Sequence, residues 1–116
     1  MFLASLVART APFALDENIP VDLAADLAGH HVETVVGLGW VGIANGKLLD
    51  RASGKFDGFV TMDRNIEHQQ NISRLRFGVL VLRAPSNRLT HLRPLLPAIL
   101  DALETLAPGR LRNIGA

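Results

Sequence analysis

Two aspartates of this chain each close a short apolar run. Asp16 closes the run 13–16, and Asp63 closes the run 59–63. If both runs are parallel strands of one sheet, the two carboxylates emerge at the same edge, where open α/β sheets hold their ligands. Mg²⁺ and Mn²⁺ take hard oxygen ligands, commonly one or two carboxylates together with water and substrate phosphate. The spacing therefore predicts that both aspartates bind a metal and act in catalysis on a phosphodiester.

Polar residues stand next to both aspartates and could extend such a site. Glu17 and Asn18 follow Asp16, and Asn65 lies two residues after Asp63. We expect Glu17 to be a further metal ligand and the two asparagines to add supporting contacts. The alternative is that both aspartates only cap helices, because aspartate is strongly favoured at the N-cap position.

Strand-like and helix-like patterns alternate along the chain and would position these residues. Short apolar or β-branched runs predict strands, and the fourth of them is apolar throughout, as in the doubly covered middle of a parallel sheet. The predicted strands are 11–16, 31–36, 56–61, 77–82 and 110–114. Apolar residues at helical spacing predict helices between them, over 19–27 with Asn18 as N-cap, 45–53 with Asn45 as N-cap, 65–70, and 89–106.

This order of elements predicts the fold class. Strands that are separated by helical crossovers pair in parallel, so we expect a three-layer α/β/α sandwich with a mostly parallel sheet of about five strands. Pro94 and Pro97 lie inside the last helical pattern and predict a kink or a restart there, since an interior proline costs the helix about 3 kcal/mol or more. The last strand is expected at an edge of the sheet.

Length and composition bound the domain organisation. A chain of 116 residues with 48% hydrophobic residues is long enough for a single domain with a sizeable core. We expect residues 1–12 to be an N-terminal extension, because Arg9 comes only after the apolar stretch that a signal peptide would place behind its basic residues. The domain itself is expected over residues 13–116.

The residue types also exclude several kinds of site and indicate a compartment. The chain has no cysteine, which excludes disulfides, thiolate zinc sites and cysteine nucleophiles, and which fits a reducing compartment. We therefore expect a cytoplasmic protein. No segment approaches the roughly 20 uninterrupted apolar residues of a membrane-spanning helix, so no membrane partner is expected.

Charge is unevenly distributed along the chain, although the net charge is only +1. Residues 1–70 carry five Lys/Arg against nine Asp/Glu, whereas residues 71–116 carry seven Arg against two acidic residues. The acidic part could concentrate metal-binding carboxylates while the arginine-rich part meets phosphate or an acidic partner. Solvated helix faces would explain the same distribution.

Several motifs together resemble those of a known family. They are Asp-Glu-Asn-Ile-Pro at 16–20, Gly-Trp-x-Gly-x-x-Asn-Gly-x-Leu-Leu at 39–49, Phe-x-Thr-x-Asp-Arg-Asn at 59–65 and Arg-Ala-Pro-Ser-Asn-Arg-Leu at 83–89. Their combination is similar to the short PIN-like domains related to VapC toxins, from about Phe13 to the C-terminus. The resemblance implies a PIN-like fold and a metal-dependent endoribonuclease that is the toxin of a toxin–antitoxin pair.

The resemblance also implies partners and site residues. RNA would be the substrate and a small antitoxin protein the partner. Association of two copies into a homodimer is a further alternative. The family pattern carries metal-binding acids onto Asp16 and Asp63, and it expects another acid in the middle helix, where this chain has Lys47. Since an ammonium group cannot ligate Mg²⁺ and would repel it, the lysine predicts weakened nuclease activity unless an acid such as Asp50 or Glu17 substitutes.

Three functional hypotheses follow from these observations. The first is a Mg²⁺- or Mn²⁺-dependent ribonuclease built on Asp16 and Asp63. The second is a catalytically degenerate PIN-like module that retains only a protein-binding surface, for which Lys47 is the main support. The third is a receiver-like phospho-acceptor domain, since an acidic pair follows the first strand and Asp63 follows the third. That class also needs a lysine after the last strand, and residues 113–116 contain none.

Overall fold

Five parallel strands form the central sheet in the computed structural model, which describes residues 12–27 and 29–116. The expected fold class, a three-layer α/β arrangement, is confirmed. The strands are β1 (Phe13–Leu15), β2 (Val32–Thr34), β3 (Gly58–Thr61), β4 (Gly78–Arg83) and β5 (Leu111–Gly115), in the order β2-β1-β3-β4-β5. As predicted, the last strand lies at an edge. Of the proposed N-terminal extension, residues 1–11 lie outside the described residues.

Helices connect the strands. They are α1 (Leu23–Asp26), α2 (Val35–Leu38), α3 (Asn45–Ala52), α4 (Ile66–Gln69), α5 (Leu89–Leu92) and α6 (Leu96–Thr105), with 3₁₀ turns at Ile72–Arg74 and Arg93–Leu95. The long helical pattern breaks between α5 and α6, so the predicted interruption is confirmed: Pro94 lies in the 3₁₀ turn between the two helices, and Pro97 is the second residue of α6. None of the helices within the described ranges is long and apolar enough to cross a membrane.

Two separate hydrophobic clusters cover the two faces of the sheet. Successive side chains of a strand point to opposite faces, so Phe13 and Leu15 join one cluster while Ala14 joins the other. The first cluster packs α1, α5 and α6 on the sheet, and the second packs α3 and α4. Asp16 and Thr61 continue the alternation of Ala14 and Phe59, which places both on the face that α3 and α4 cover.

Two local expectations were wrong. The helix predicted over 19–27 is only the four-residue α1, and Asp22 rather than Asn18 precedes it, without a side-chain cap. The strand predicted over 31–36 ends at Thr34, because the Thr34 hydroxyl accepts a 2.8 Å hydrogen bond from the Gly37 amide and so caps α2. The side chain of Thr34 therefore decides the boundary between β2 and α2.

The strand order creates a crevice between β1 and β3. The chain leaves β1 toward β2 on one side and returns to β3 on the other, so β1 and β3 are neighbours whose following loops run in opposite directions. Ligands of open α/β sheets bind outside the carboxyl ends of the strands at such a switch point. Asp16 follows β1 and Asp63 follows β3, so both aspartates lie at this crevice.

Candidate functional site

Asp16 and Thr61 face each other across the β1–β3 pair. Leu15 is in register with Val60, and the Asp16 amide donates a 2.9 Å hydrogen bond to the Val60 carbonyl, so the parallel pairing extends by one residue. Thr61 is fully buried and only 5% of Asp16 is exposed. The register of two strands therefore fixes where the Asp16 carboxylate lies.

The Thr61 hydroxyl connects the two aspartates. It donates a 2.7 Å hydrogen bond to Oδ2 of Asp16 and accepts a 3.0 Å hydrogen bond from the Asp63 amide. It also accepts a hydrogen bond from Nδ2 of Asn18 at 3.3 Å. One donor and two acceptor positions are thus all used, as a buried hydroxyl requires.

Asn18 links the loop after β1 to the end of β3. Besides its contact with Thr61, its Oδ1 accepts a 3.1 Å hydrogen bond from the Met62 amide. Its own carbonyl accepts a 3.1 Å hydrogen bond from Nδ2 of Asn87, in the loop after β4. Through its side chain and its carbonyl, the residue predicted as a helix cap instead joins three loops at the carboxyl edge of the sheet.

The Asp63 carboxylate is held by two residues from different elements. Its Oδ1 accepts a 2.9 Å hydrogen bond from the Asn65 amide, a local turn, and its Oδ2 accepts a 2.8 Å hydrogen bond from Nδ2 of Asn45. Asn45 is the first residue of α3, and Ala44 precedes it as the N-cap. The expectation that Asn45 caps this helix was wrong, because its amide reaches the site.

Lys47 does not make the contact that Asn45 makes. Two residues along an α-helix turn a side chain through about 200°, so residues i and i+2 do not share a face. Leu48, Leu49 and Ala52 pack into the core, while Lys47 is exposed. The residue of α3 that touches an aspartate of the site is therefore Asn45.

Glu17 stands beside the site but its side chain is held elsewhere. It is exposed, and its Oε1 accepts a 3.1 Å hydrogen bond from the Gly42 amide. Its backbone amide donates a 2.8 Å hydrogen bond to Oδ1 of Asp16. Glu17 thus supports Asp16 through its backbone, while its carboxylate binds the loop before α3.

Burial raises the pKa of the Asp16 carboxyl above its ordinary value, because desolvation disfavours the charged form. The hydrogen bonds from Thr61 and the Glu17 amide oppose the rise in pKa, and the negative charges of Glu17 and Asp63 add to it. The site therefore concentrates negative charge at a poorly solvated edge, which a cation would relieve.

The donor set fits a hard divalent cation that keeps much of its own hydration. Asp16 and Asp63 each accept two hydrogen bonds, and a carboxylate has about four acceptor positions, so lone pairs remain on both. Mg²⁺ typically binds through one or two carboxylates, waters and substrate phosphates. No group of three or more Asp, Glu, His or Cys side chains within residues 12–27 and 29–116 is placed to hold a metal alone.

Sequence reasoning brought the two aspartates to one candidate site and expected supporting contacts from Asn18 and Asn65, but it missed the roles of Thr61 and Asn45. Thr61 lies two residues before Asp63, in a run that is otherwise apolar. This alternation of two polar residues was the signal that could have assigned Thr61 to the site. Asn45 gave no local signal beyond that of a helix start. Comparisons of the chain with family models, with curated proteins and with solved structures find no match.

Proposed function

We propose that this chain is a Mg²⁺- or Mn²⁺-dependent ribonuclease, of the PIN-like type related to VapC toxins, with a small antitoxin protein as its partner. The observation that supports the proposal is that the Thr61 hydroxyl binds both the Asp16 carboxylate and the Asp63 amide at the switch point of the sheet, where both aspartates lie. Two carboxylates in a crevice at the strand ends suit a metal-assisted reaction at a phosphodiester.

The residues of the chain would have separate roles. Asp16 and Asp63 would hold the ion, Thr61 and the Glu17 amide would fix the Asp16 carboxylate, and Asn45 would orient that of Asp63. When bound, the ion would supply an activated water and would neutralise charge on the scissile phosphate. Carboxylates at strand ends that are held by hydrogen bonds from Thr61 and Asn45 reorganise little, which favours metal binding.

A cleavage assay tests the proposal. Labelled single-stranded RNA is incubated with the purified protein and Mn²⁺ or Mg²⁺, and with excess EDTA. We expect metal-dependent cleavage, and we expect Asp16→Asn and Asp63→Asn to abolish it. Asp50→Asn should retain the cleavage, because Asp50 is exposed and is not part of the site. Cleavage that survives Asp63→Asn would mean that the activity belongs to another protein or another site.

One observation favours a second candidate, the catalytically degenerate protein-binding module. The Asn45 amide stands at Oδ2 of Asp63, where a third carboxylate would complete a stronger metal site. A protein that binds neither Mg²⁺ nor Mn²⁺ at millimolar concentration, and yet binds the protein encoded next to it, would support this candidate against the nuclease.

The strand order gives weaker support to the receiver-like candidate. The order β2-β1-β3-β4-β5 also occurs in receiver domains, but a fold does not assign a function. Residues 111–116 contain no lysine to contact a phosphorylated aspartate. Incubation with acetyl phosphate followed by mass spectrometry tests this candidate, and we expect no phosphoryl adduct on Asp63.

A further inference from the structure

A second feature of the same sheet edge is a cavity of about 400 Å³ beyond the ends of β3 and β4. Its charged and polar wall comes from Arg64, Arg83 and His91, and its apolar wall includes Pro85 and Leu95. No carboxylate side chain among the described residues lines it. Pockets of this size accommodate small molecules the size of a nucleotide.

Two arginines give the cavity its charge. Arg83, the last residue of β4, is partly buried, and its Nε donates a 3.1 Å hydrogen bond to Oδ1 of Asn113, which holds the side chain in place. Arg64 is exposed. Within the described part of the chain, neither arginine forms an ion pair with a carboxylate. Guanidinium groups without a carboxylate partner are suited to bind phosphate.

His91 is oriented by the loop after β4. Its Nδ1 lies 2.6 Å from Oγ of Ser86, and that hydroxyl also accepts a 3.1 Å hydrogen bond from the Arg88 amide. With Nδ1 engaged, Nε2 is the ring nitrogen left for a ligand. The cavity thus combines positive and hydrogen-bonding groups with an apolar wall.

The cavity adjoins the aspartate pair. Arg64 is the residue directly after Asp63, and Arg83 ends the strand next to β3. The loop after β4, which forms one wall, is tied to the site by the hydrogen bond from Asn87 to the Asn18 carbonyl. A polynucleotide bound at the aspartates could therefore extend along this edge of the sheet to the cavity.

We propose that this cavity is a nucleotide subsite for single-stranded RNA. Arg64 and Arg83 bind a phosphate next to the one that is cleaved, and Pro85 and Leu95 contact the base. The identity of the substrate rests on the proposed function, whereas binding at the cavity needs neither metal nor cleavage.

Binding without catalysis tests the subsite. Fluorescence anisotropy with a labelled oligoribonucleotide is measured in EDTA over a series of salt concentrations. We expect Arg83→Gln, whose amide can keep the contact with Asn113, to weaken binding about tenfold. The slope of log K against log salt should fall by about 0.7, the value for one phosphate contact on a single strand. Arg64→Gln should act in the same direction.

Arg76→Gln is the matched control, because Arg76 precedes the amino end of β4 while Arg83 stands at its carboxyl end. It should leave both the affinity and the slope unchanged. If Arg64→Gln and Arg83→Gln bind like Arg76→Gln, the subsite is wrong even when the wild type cleaves RNA. If both variants lose binding while no metal-dependent cleavage is found, the subsite stands and the nuclease proposal fails.

Small ligands test the nucleotide assignment separately. Chemical-shift titrations compare adenosine 5′-monophosphate, ribose 5-phosphate and inorganic phosphate. We expect the nucleotide to bind most tightly and to shift the signals of Leu95 and His91. Equal affinity for the nucleotide and for inorganic phosphate would overturn the assignment of the apolar wall to a base, and an unaffected cavity would overturn the subsite itself.

Discussion

The Thr61 hydroxyl donates a 2.7 Å hydrogen bond to Oδ2 of Asp16, between side chains that lie 45 positions apart in the chain. Both residues are buried, and the same hydroxyl accepts from the Asp63 amide. A buried carboxylate that lost this donor would keep its desolvation cost without the hydrogen bond. The contact therefore couples the stability of the domain to the geometry of the candidate site.

Thr61→Val removes this hydroxyl and keeps the branched shape of the side chain. We expect the free energy of unfolding to fall by about 1–3 kcal/mol, because buried polar groups lose a shared partner. Urea denaturation measures the loss. Thr61→Ser keeps the hydroxyl and should lose less stability than Thr61→Val. Equal losses in the two variants would show that the methyl group, and not the hydroxyl, matters at this position.

Metal binding should stabilise the folded protein. A ligand that binds only the folded state raises the melting temperature by mass action. We expect millimolar Mn²⁺ to raise the melting temperature of the wild type and of Asp50→Asn, and EDTA to reverse the rise. Asp16→Asn and Asp63→Asn should show no rise. A wild type whose melting curve does not respond would support the degenerate module.

The pH dependence of stability should report on Asp16. Burial raises its pKa above the ordinary value of 3.8, so the folded protein binds this proton more tightly than the unfolded chain does. The stabilisation from the proton is complete below the unfolded pKa and is lost as the pH rises through the folded pKa. Relative to Asp16→Asn, the wild type should therefore lose stability as the pH rises across this window.

Thermal unfolding of the wild type and Asp16→Asn at a series of pH values in EDTA checks this. As the pH rises, the melting temperature of Asp16→Asn should increase relative to that of the wild type. The difference between the two melting temperatures should become constant once Asp16 is fully ionised. Asp50→Asn, at an exposed position, should follow the wild type. Parallel curves for the wild type and Asp16→Asn would show that burial does not raise this pKa.

Local sequence patterns were enough to predict the sheet and the two aspartates. β1 and β3 are short, largely apolar runs, and the residues that follow a run are set by the chain itself, so Asp16 and Asp63 could be assigned to one edge. The kink near Pro94 and Pro97 was predictable for the same reason, since proline acts on its own helix.

The contacts that complete the site were not predictable in this way. Asn18 reaches Thr61 over 43 positions and Asn45 reaches Asp63 over 18 positions, so their partners depend on strand register and helix placement. Locally, an asparagine before apolar residues at helical spacing indicates an N-cap. In the structure both side chains form tertiary hydrogen bonds instead. The helix α1 is also shorter than the spacing of the apolar residues predicted.

Asn45 and Lys47 offer the sharpest comparison at the site, because the structure brings the first and not the second to Asp63. Asn45→Asp would place a third carboxylate beside that of Asp63. Without a metal ion the two carboxylates repel each other, and with a metal ion the new carboxylate becomes a further ligand. We expect a lower melting temperature in EDTA and a larger rise with Mn²⁺ than in the wild type. The dissociation constant for Mn²⁺ should fall about tenfold or more, since ligand charge sets the affinity of such sites.

Lys47→Glu changes the charge of the same helical turn by two units, but at an exposed position. It therefore tests the effect of the charge alone, at a residue that does not contact Asp63. It should increase Mn²⁺ affinity and Mn²⁺-dependent RNA cleavage much less than Asn45→Asp, and Asp63→Asn should remove the gain in either background. If Lys47→Glu instead gives the larger gain in affinity and cleavage, the lysine suppresses the site, and the contact of Asn45 with Asp63 is only structural.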